Sequence, residues 1–500
     1  MPNETSTGRT GEGTASLRRC GAMRRAATAA LALLAVVATT RCGPPAPMAD
    51  PAAVLGDPAA SSRRQMQAMY QLDATPGMPG HVDALRRAIA MPAYALDVRK
   101  AAFERLYELD PDALADQLAL SLPRDPSRPW RDWACRRIGE LKWQDPTPTL
   151  IRCWAVPLPA WVERDAPRVE PQALAAIYGE DRVSAVLLRE LVEADPIVSA
   201  NLRMRCWELL VGLGEQTTLQ TLVEEREIGT RDPMLRDLRR VAAAFGVLPR
   251  TREEILWARR LCRPAEREHF EAVQAALGQL PAEIRSDLRM RDLAVAAATA
   301  ETAPERLGMA RGGLLALLEM RLEGREAGRF SADFEGYGAG ERDERLGRAA
   351  DDLDWSDLAA LHLALDAMAD AGVRAALFDL AERDQIDRTT EYGGMIDLDD
   401  SGRWAVVEFA PRSRGSDVRY EGSPALFEAL ATGVFHVHLH AQKFDNRKYA
   451  GPHLGDLQLA DASGINGLVL AFVDSQTLNL DWYRHDRMVV DLGVVRRDGG

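Results

Sequence analysis

Residues Gly433–Asp456 read GVFHVHLHAQKFDNRKYAGPHLGD and hold four of the chain's eight histidines, His436, His438, His440 and His453. Successive side chains of a strand point to opposite faces. This stretch therefore predicts a strand with His436, His438 and His440 on one face and Phe435, Val437 and Leu439 packing on the other. A His-x-His pair at the end of a strand is a compact two-armed metal holder, and imidazole suits zinc. A third protein ligand such as Asp456 leaves the fourth position for water, the arrangement of catalytic rather than closed structural sites. Two registers satisfy the pattern, His436 with His438 or His438 with His440. The later pair is preferred because Ala441-Gln442 opens a polar loop. The same alternation also describes the polar face of a half-buried strand.

Working outward, the flanking segments alternate between the two periodicities. Helices are expected across Trp355 to Ala371, with Asp354 or Ser356 able to cap it, and from Val373 to Arg383. His362 falls in the first as a packed residue. Then come RTTEYGGMIDLD, the strand-like WAVVEFAPR from Trp404, the helix-like SPALFEALATG from Ser423, the histidine strand and the helix-like GDLQLADASG. Three strand-like runs, GLVLAFV, TLNLDWY and MVVDLGVV, close the chain. This order predicts a small α/β domain over 351–500, a mixed sheet flanked by helices. His485, between the last two strands, reads as a solvated turn residue.

These residues resemble the JAMM family, also called Jab/MPN metalloproteases. Its members carry a glutamate in a Glu-x-x-Gly-x-Leu type segment, a His-x-His-Pro at the end of a strand, and a downstream Ser-x-x-Asp. Glu391-Tyr392-Gly393-Gly394-Met395-Ile396 fits the first, and His438-Leu439-His440 the second, with Ala441 in place of proline. His453 stands where the family has its serine, three residues before Asp456, and the step from His440 to Asp456 is sixteen residues, longer than the family's. The resemblance implies a zinc ion held by His438, His440 and Asp456, with His436 the ligand of the alternative register. It further implies Glu391 as the proton carrier, His453 in the role of oxyanion donor, and hydrolysis of an amide, peptide or isopeptide bond.

The rest of the chain reads as delivery and support. Met23-Arg24-Arg25 followed by the apolar run Ala26 to Val37 has the shape of a secretory signal, shorter than a membrane span. Cys42 and the Gly-Pro-Pro-Ala-Pro behind it resemble the lipidated cysteine of a bacterial lipoprotein, with Arg41 departing from that pattern. Residues 1–42 are thus expected to direct export to the periplasm or cell envelope, with membrane anchoring through a lipidated Cys42. Residues 43–80, rich in Pro, Ala, Ser and Gly, are expected to be a tether. From 81 to 322 helical periodicity dominates. Helices led by Arg99, Arg131, Arg203 and Arg236, separated by 32, 72 and 33 residues, resemble HEAT-like repeats, which imply a stacked solenoid able to bind a protein or peptide. Trp130, Trp133, Trp143, Trp154 and Trp161 read as packing residues. The charged, Gly-rich stretch 323–350 is the expected linker, so the fold class is an all-helical region followed by an α/β domain.

With 46% hydrophobic and 27% charged residues the chain is globular, and a formal charge of −13 argues against nucleic acid as a partner. Six cysteines without a CxxC pair exclude a zinc knuckle or dithiol redox motif. In an exported chain one pair of them could form a disulfide, and spacing does not choose which. No P-loop follows Gly312-Gly313, and the sixty residues after His440 are too few for a metallo-hydrolase barrel. Two functions remain: an exported zinc hydrolase, or a non-catalytic helical-repeat scaffold whose C-terminal domain is a degenerate docking module.

Overall fold

The computed structural model describes residues 48–499 apart from 76, 159–166, 226, 228–231, 326–343 and 417. The expected export segment 1–42, Trp161 and most of the expected linker lie outside the described residues. Among those described, no helix is long and apolar enough to cross a membrane.

The chain divides into two compact units, one through Leu114 and one from Ala115 onward. In the first, the described part of the expected tether is largely helical, with helices Pro51–Gly56 and Ser62–Asp73. Composition concealed their buried stripe: Ala68, Met69 and Leu72, with Gln65 one turn before, recur at helical spacing and are buried, as is Leu55, whose carbonyl accepts from the Tyr94 hydroxyl at 3.0 Å. Helices His81–Ala90 and Leu96–Leu109 follow. Buried Arg99 sits one turn into the second of these and donates to the Ile89 carbonyl at the end of the first, with Nη2 at 2.6 Å.

The second unit opens with helices that pack mainly on their sequence neighbours, among them Val183–Glu193 on Ala200–Gly212. There Arg203 repeats the arrangement of Arg99, donating to the Leu191 carbonyl at the end of the preceding helix and pairing with Asp232 at 2.6 Å. Arg236, read as equivalent, is exposed, and Arg131 is half-buried. Trp130 and Trp143 are buried, and Trp133 stacks on Trp130 with ring centroids 5.5 Å apart.

The later helices are α1 (Arg252–Leu261), α2 (Asp292–Thr302), α3 (Arg311–Leu322), α4 (Trp355–Ala369), α5 (Ala371–Ile386), α6 (Pro424–Ala429) and α7 (Leu454–Ser463). Asp354 and Asp357 form a capping box that starts α4. That helix is buried all round because α2 and α3 pack on it from one side and α5 and the sheet from another. The helices before 323–350 and those after it therefore share one core. His362 lies in this core, its Nε2 at 3.0 Å from the Leu314 carbonyl.

Strands β1 (Gly393–Leu398), β2 (Trp404–Glu408), β3 (Phe435–His440), β4 (Gly467–Asp474), β5 (Thr477–Arg484) and β6 (Met488–Arg496) form one mixed sheet in the order β2-β1-β3-β4-β5-β6. The β3–β4 pair is parallel, with α7 in the crossover, and the others are antiparallel. The histidine strand thus has a partner on each side and both faces covered.

His485 is not a solvated turn residue. It is buried, and Arg291 Nη1 donates to its Nδ1 at 3.1 Å. Burial first, then Arg291, Arg289 and Arg484, hold its pKa well below the ordinary histidine value. Arg291 also donates to Asp357 Oδ1 at 2.9 Å and Arg484 to Asp357 Oδ2 at 2.8 Å. Two guanidinium groups, from the start of α2 and the end of β5, thereby converge on one fully buried carboxylate of α4. Removing one member of such a cluster leaves uncompensated buried charge, so Asp357→Ala is expected to destabilise the fold by about 3–5 kcal/mol. Urea denaturation checks this: a loss below about 1 kcal/mol, the range of exposed pairs, would show that the cluster is not structural.

Candidate metal centre

All three histidines of β3 are at most 2% exposed. Small residues stand at three of the neighbouring positions: Gly393 beside His438, Gly467 beside His436 and Ala471 beside His440, with Val469 and Met395 on the other sides of His438 and His436. A Cβ on Gly393 would lie 2.6 Å from the Val437 carbonyl oxygen and 2.8 Å from the Tyr420 ring, and one on Gly467 would collide with the Tyr483 ring. The Gly-Gly after Glu391-Tyr392 is therefore a steric requirement of close strand approach.

At the end of β3 the chain is clamped. Asp384 of α5 accepts from the Tyr392 amide at 2.8 Å and from the Ala441 amide at 3.0 Å, tying the residues beside Glu391 to the exit from His440. Asn446 donates to the His440 carbonyl at 2.9 Å and to Gln442 Oε1 at 2.7 Å, which turns the Gln442 amide nitrogen to Glu391 Oε1 at 3.0 Å. Asp456 occupies the first turn of α7, where helix N-termini favour negative charge, and its Oδ2 accepts from the His453 amide at 2.7 Å.

These contacts bring three ligand groups together. His438 Nε2 lies 3.2 Å from His440 Nε2 and 3.3 Å from Asp456 Oδ1, and His440 Nε2 lies 3.7 Å from Asp456 Oδ2. The group formed by His438, His440 and Asp456 has all its ligand atoms within 4.8 Å of one another. Metal–ligand distances of about 2.0–2.1 Å in a tetrahedron set ligand atoms roughly 3.3 Å apart, so the donor set fits zinc. His440 Nδ1 faces the Tyr449 carbonyl at 2.8 Å; a carbonyl only accepts, so Nδ1 carries the proton and Nε2 presents its lone pair to the centre. His438 Nδ1 is 3.4 Å from the Tyr483 hydroxyl, whose pKa burial pushes well above the ordinary tyrosine value, followed by Asp456 and Glu391.

Charge follows the same geometry. Burial works to raise the Asp456 carboxyl, but His438, bonded to it, together with His440 and His453 outweighs that and holds it well below the ordinary aspartate range. His440 is pushed down by burial, then by His453 and His438. Glu391, 3% exposed, has Oε1 4.0 Å from His440 Nε2. Burial, then the charges of Asp456 and Asp384, push it up to about 9, with the Gln442 bond opposing.

Between the ordinary 4.5 and about 9, metal-free folded protein holds a proton on Glu391 that the unfolded chain has released. Its stability must then fall as pH rises through that window, by at most about 1.4 kcal/mol per pH unit. Glu391→Gln removes this slope. Urea denaturation of metal-free protein is expected to find the variant more stable than wild type by on the order of 1–3 kcal/mol near pH 7 and equal to it near pH 4; parallel pH curves would contradict the assignment.

The remaining sequence-predicted residues lie beside this group. The His453 ring stacks on the His440 ring with centroids 4.2 Å apart and planes at 23°. The His436 ring centroid is 5.7 Å from that of His438 and 6.0 Å from that of Tyr420, and neither of its nitrogens has a hydrogen-bond partner among the described residues. Burial, then His438, lower its pKa to about 3, so it is neutral. Sequence reasoning missed Asp384, Gln442, Asn446 and Tyr483. Gln442, two residues past His440, was within reach of a local reading; the others join through the fold.

No known family, curated protein or solved structure matches the chain.

Proposed function

We propose that this protein is an exported zinc-dependent hydrolase of JAMM-like type that cleaves an amide, peptide or isopeptide bond. The observation that carries the reading is the convergence of His438, His440 and Asp456 at zinc-ligand spacing, with the buried carboxyl of Glu391 4.0 Å from His440 Nε2. His438, His440 and Asp456 would hold the ion. When bound, zinc supplies Lewis-acid activation of a water molecule. Glu391 would accept a proton from the attacking water and pass it to the leaving amine, with Gln442 fixing one of its oxygens. A nearby cation also favours the ionised carboxylate, which converts Glu391 from the protonated state of the metal-free protein into a base. His453 is the side chain nearest in role to the oxyanion donor. The arginine arrangement shared by Arg99 and Arg203 supports a HEAT-like reading of the helical region, which would bind a protein or peptide substrate. Export, and anchoring through Cys42, complete the reading.

The scaffold alternative draws support from His453, which stands where the family has its serine and whose ring stacks on that of His440. One experiment separates the two. Zinc-loaded protein incubated with a broad peptide and isopeptide library, read by mass spectrometry, is expected to give cleavage that a chelator abolishes and zinc restores. Zinc-loaded protein that cleaves nothing, yet retains one peptide of the library, supports the scaffold.

A further inference from the structure

We infer that the cleft between α1, α6 and α7 is a binding site for an acidic peptide segment that carries large apolar side chains. The cavity lies within the second unit and has a volume of about 720 Å³, inside the range of roughly 300–1,000 Å³ typical of ligand pockets. Its first wall, α1, packs on both α6 and α7, and two hydrogen bonds fix the surroundings. Trp257 Nε1 of α1 donates to the Phe427 carbonyl of α6 at 2.8 Å, and Gln458 of α7 donates to the Leu158 carbonyl. Leu256, Phe427, Leu454, Leu459 and Leu158 line the cavity and are only half-buried, which leaves apolar surface for a ligand to cover. The other face of α7 is already engaged, with Leu457 and Ala460 buried and Asp456 entering the metal group. The cleft is thus a second site that shares a helix with the first.

Charge selects the occupant. Arg205 pairs with Glu208 at 2.7 Å, Arg252 with Glu253 at 2.6 Å and Arg168 with Glu170 at 3.0 Å. Arg412 and Arg487 also line the cavity, but both are exposed and neither guanidinium has a partner among the described residues. Arg487 is placed at the rim by the tight turn between β5 and β6. It and Asp486 have φ of 57° and 61°, as a two-residue hairpin requires, and the Asp486 amide donates to Asp461 of α7 at 2.8 Å. Two free guanidinium groups beside an apolar wall favour a ligand with carboxylates next to apolar groups. The cleft also holds Glu428 and Asp461. A peptide offers backbone N–H donors to such acids, whereas a fatty acid would desolvate them and give no hydrogen bond in return, so the occupant is a peptide rather than a lipid. That the cleft delivers substrate rests on the hydrolase reading; that it binds peptide does not.

Isothermal titration calorimetry tests this on the full-length protein with chelator present, so that no zinc-dependent turnover consumes the probe. The probes are the acetylated tetrapeptides Leu-Phe-Asp-Glu, Leu-Phe-Asn-Gln and Leu-Phe-Lys-Lys. The acidic peptide is expected to bind most tightly and the basic one least. Exposed ion pairs are individually weak, so Arg412→Gln combined with Arg487→Gln should weaken the acidic peptide on the order of 5- to 30-fold and leave the neutral one within about twofold. Leu256→Asp should weaken the acidic and neutral peptides alike. No binding at millimolar concentration, equal affinity for the three peptides, wild-type affinity for the acidic peptide in either variant, or laurate binding more tightly than the acidic peptide would overturn the inference. The double variant alters only exposed side chains, so the test stands even if Leu256→Asp does not fold. A protein that binds the acidic peptide yet cleaves nothing in the library loses only the hydrolase reading, and one that cleaves but does not discriminate among the three peptides loses only this inference.

Discussion

Glu391→Gln is expected to keep its zinc and its fold while hydrolysis falls roughly 100- to 10,000-fold, the range for removal of a general base. Glutamine preserves the shape that fills the space beside His440 and still reaches Gln442, but it accepts no proton. The same change should stabilise the metal-free protein, because wild type must protonate a carboxyl whose pKa burial, Asp456 and Asp384 raise to about 9. Loss of turnover joined to a gain in metal-free stability separates a base from a structural residue, which would lose both. A variant that cleaves as fast as wild type would remove Glu391 from the chemistry, and the JAMM-like reading would fail at its most specific residue.

Replacing a ligand should have the larger effect on the metal. Changes in the residues that orient ligands cost roughly 10- to 100-fold in metal affinity, so His438→Ala and Asp456→Ala, which each delete one of three protein ligands, are expected to exceed that. Zinc bound to the native state adds stability in proportion to its occupancy, about 4 kcal/mol at a thousandfold excess over the dissociation constant. Wild type should therefore resist urea better with zinc than without, and both variants should lose that difference. His436→Ala is the internal control: its ring lies outside the converging group and has no hydrogen-bond partner among the described residues, so its zinc affinity should stay near wild type. Loss of zinc in His436→Ala with retention in the Asp456 variant would restore the earlier register.

Local periodicity carried much of the C-terminal half. The alternation in β3 placed His438 and His440 on one face because side-chain direction in a strand depends only on residue parity. The capped start of α4 and the strand-like runs that became β4, β5 and β6 were legible for the same reason. What was hidden depends on contacts between distant segments. Asp384 reaches the amides of Tyr392 and Ala441 only once α5 lies across the sheet end. Arg291, Asp357 and Arg484 converge from elements far apart in the chain, and His485 is buried by that convergence rather than by any local pattern. The helices at Pro51 and Ser62 were masked by Pro, Ala and Ser around a sparse apolar stripe.

A zinc centre formed by His438, His440 and Asp456 would show in the metal content of the purified full-length protein. After dialysis against buffer containing excess magnesium and calcium, elemental analysis should find about one zinc per chain in wild type and none in Asp456→Ala. Wild type without zinc after exposure to the ion, or an Asp456 variant with wild-type zinc content, would contradict it.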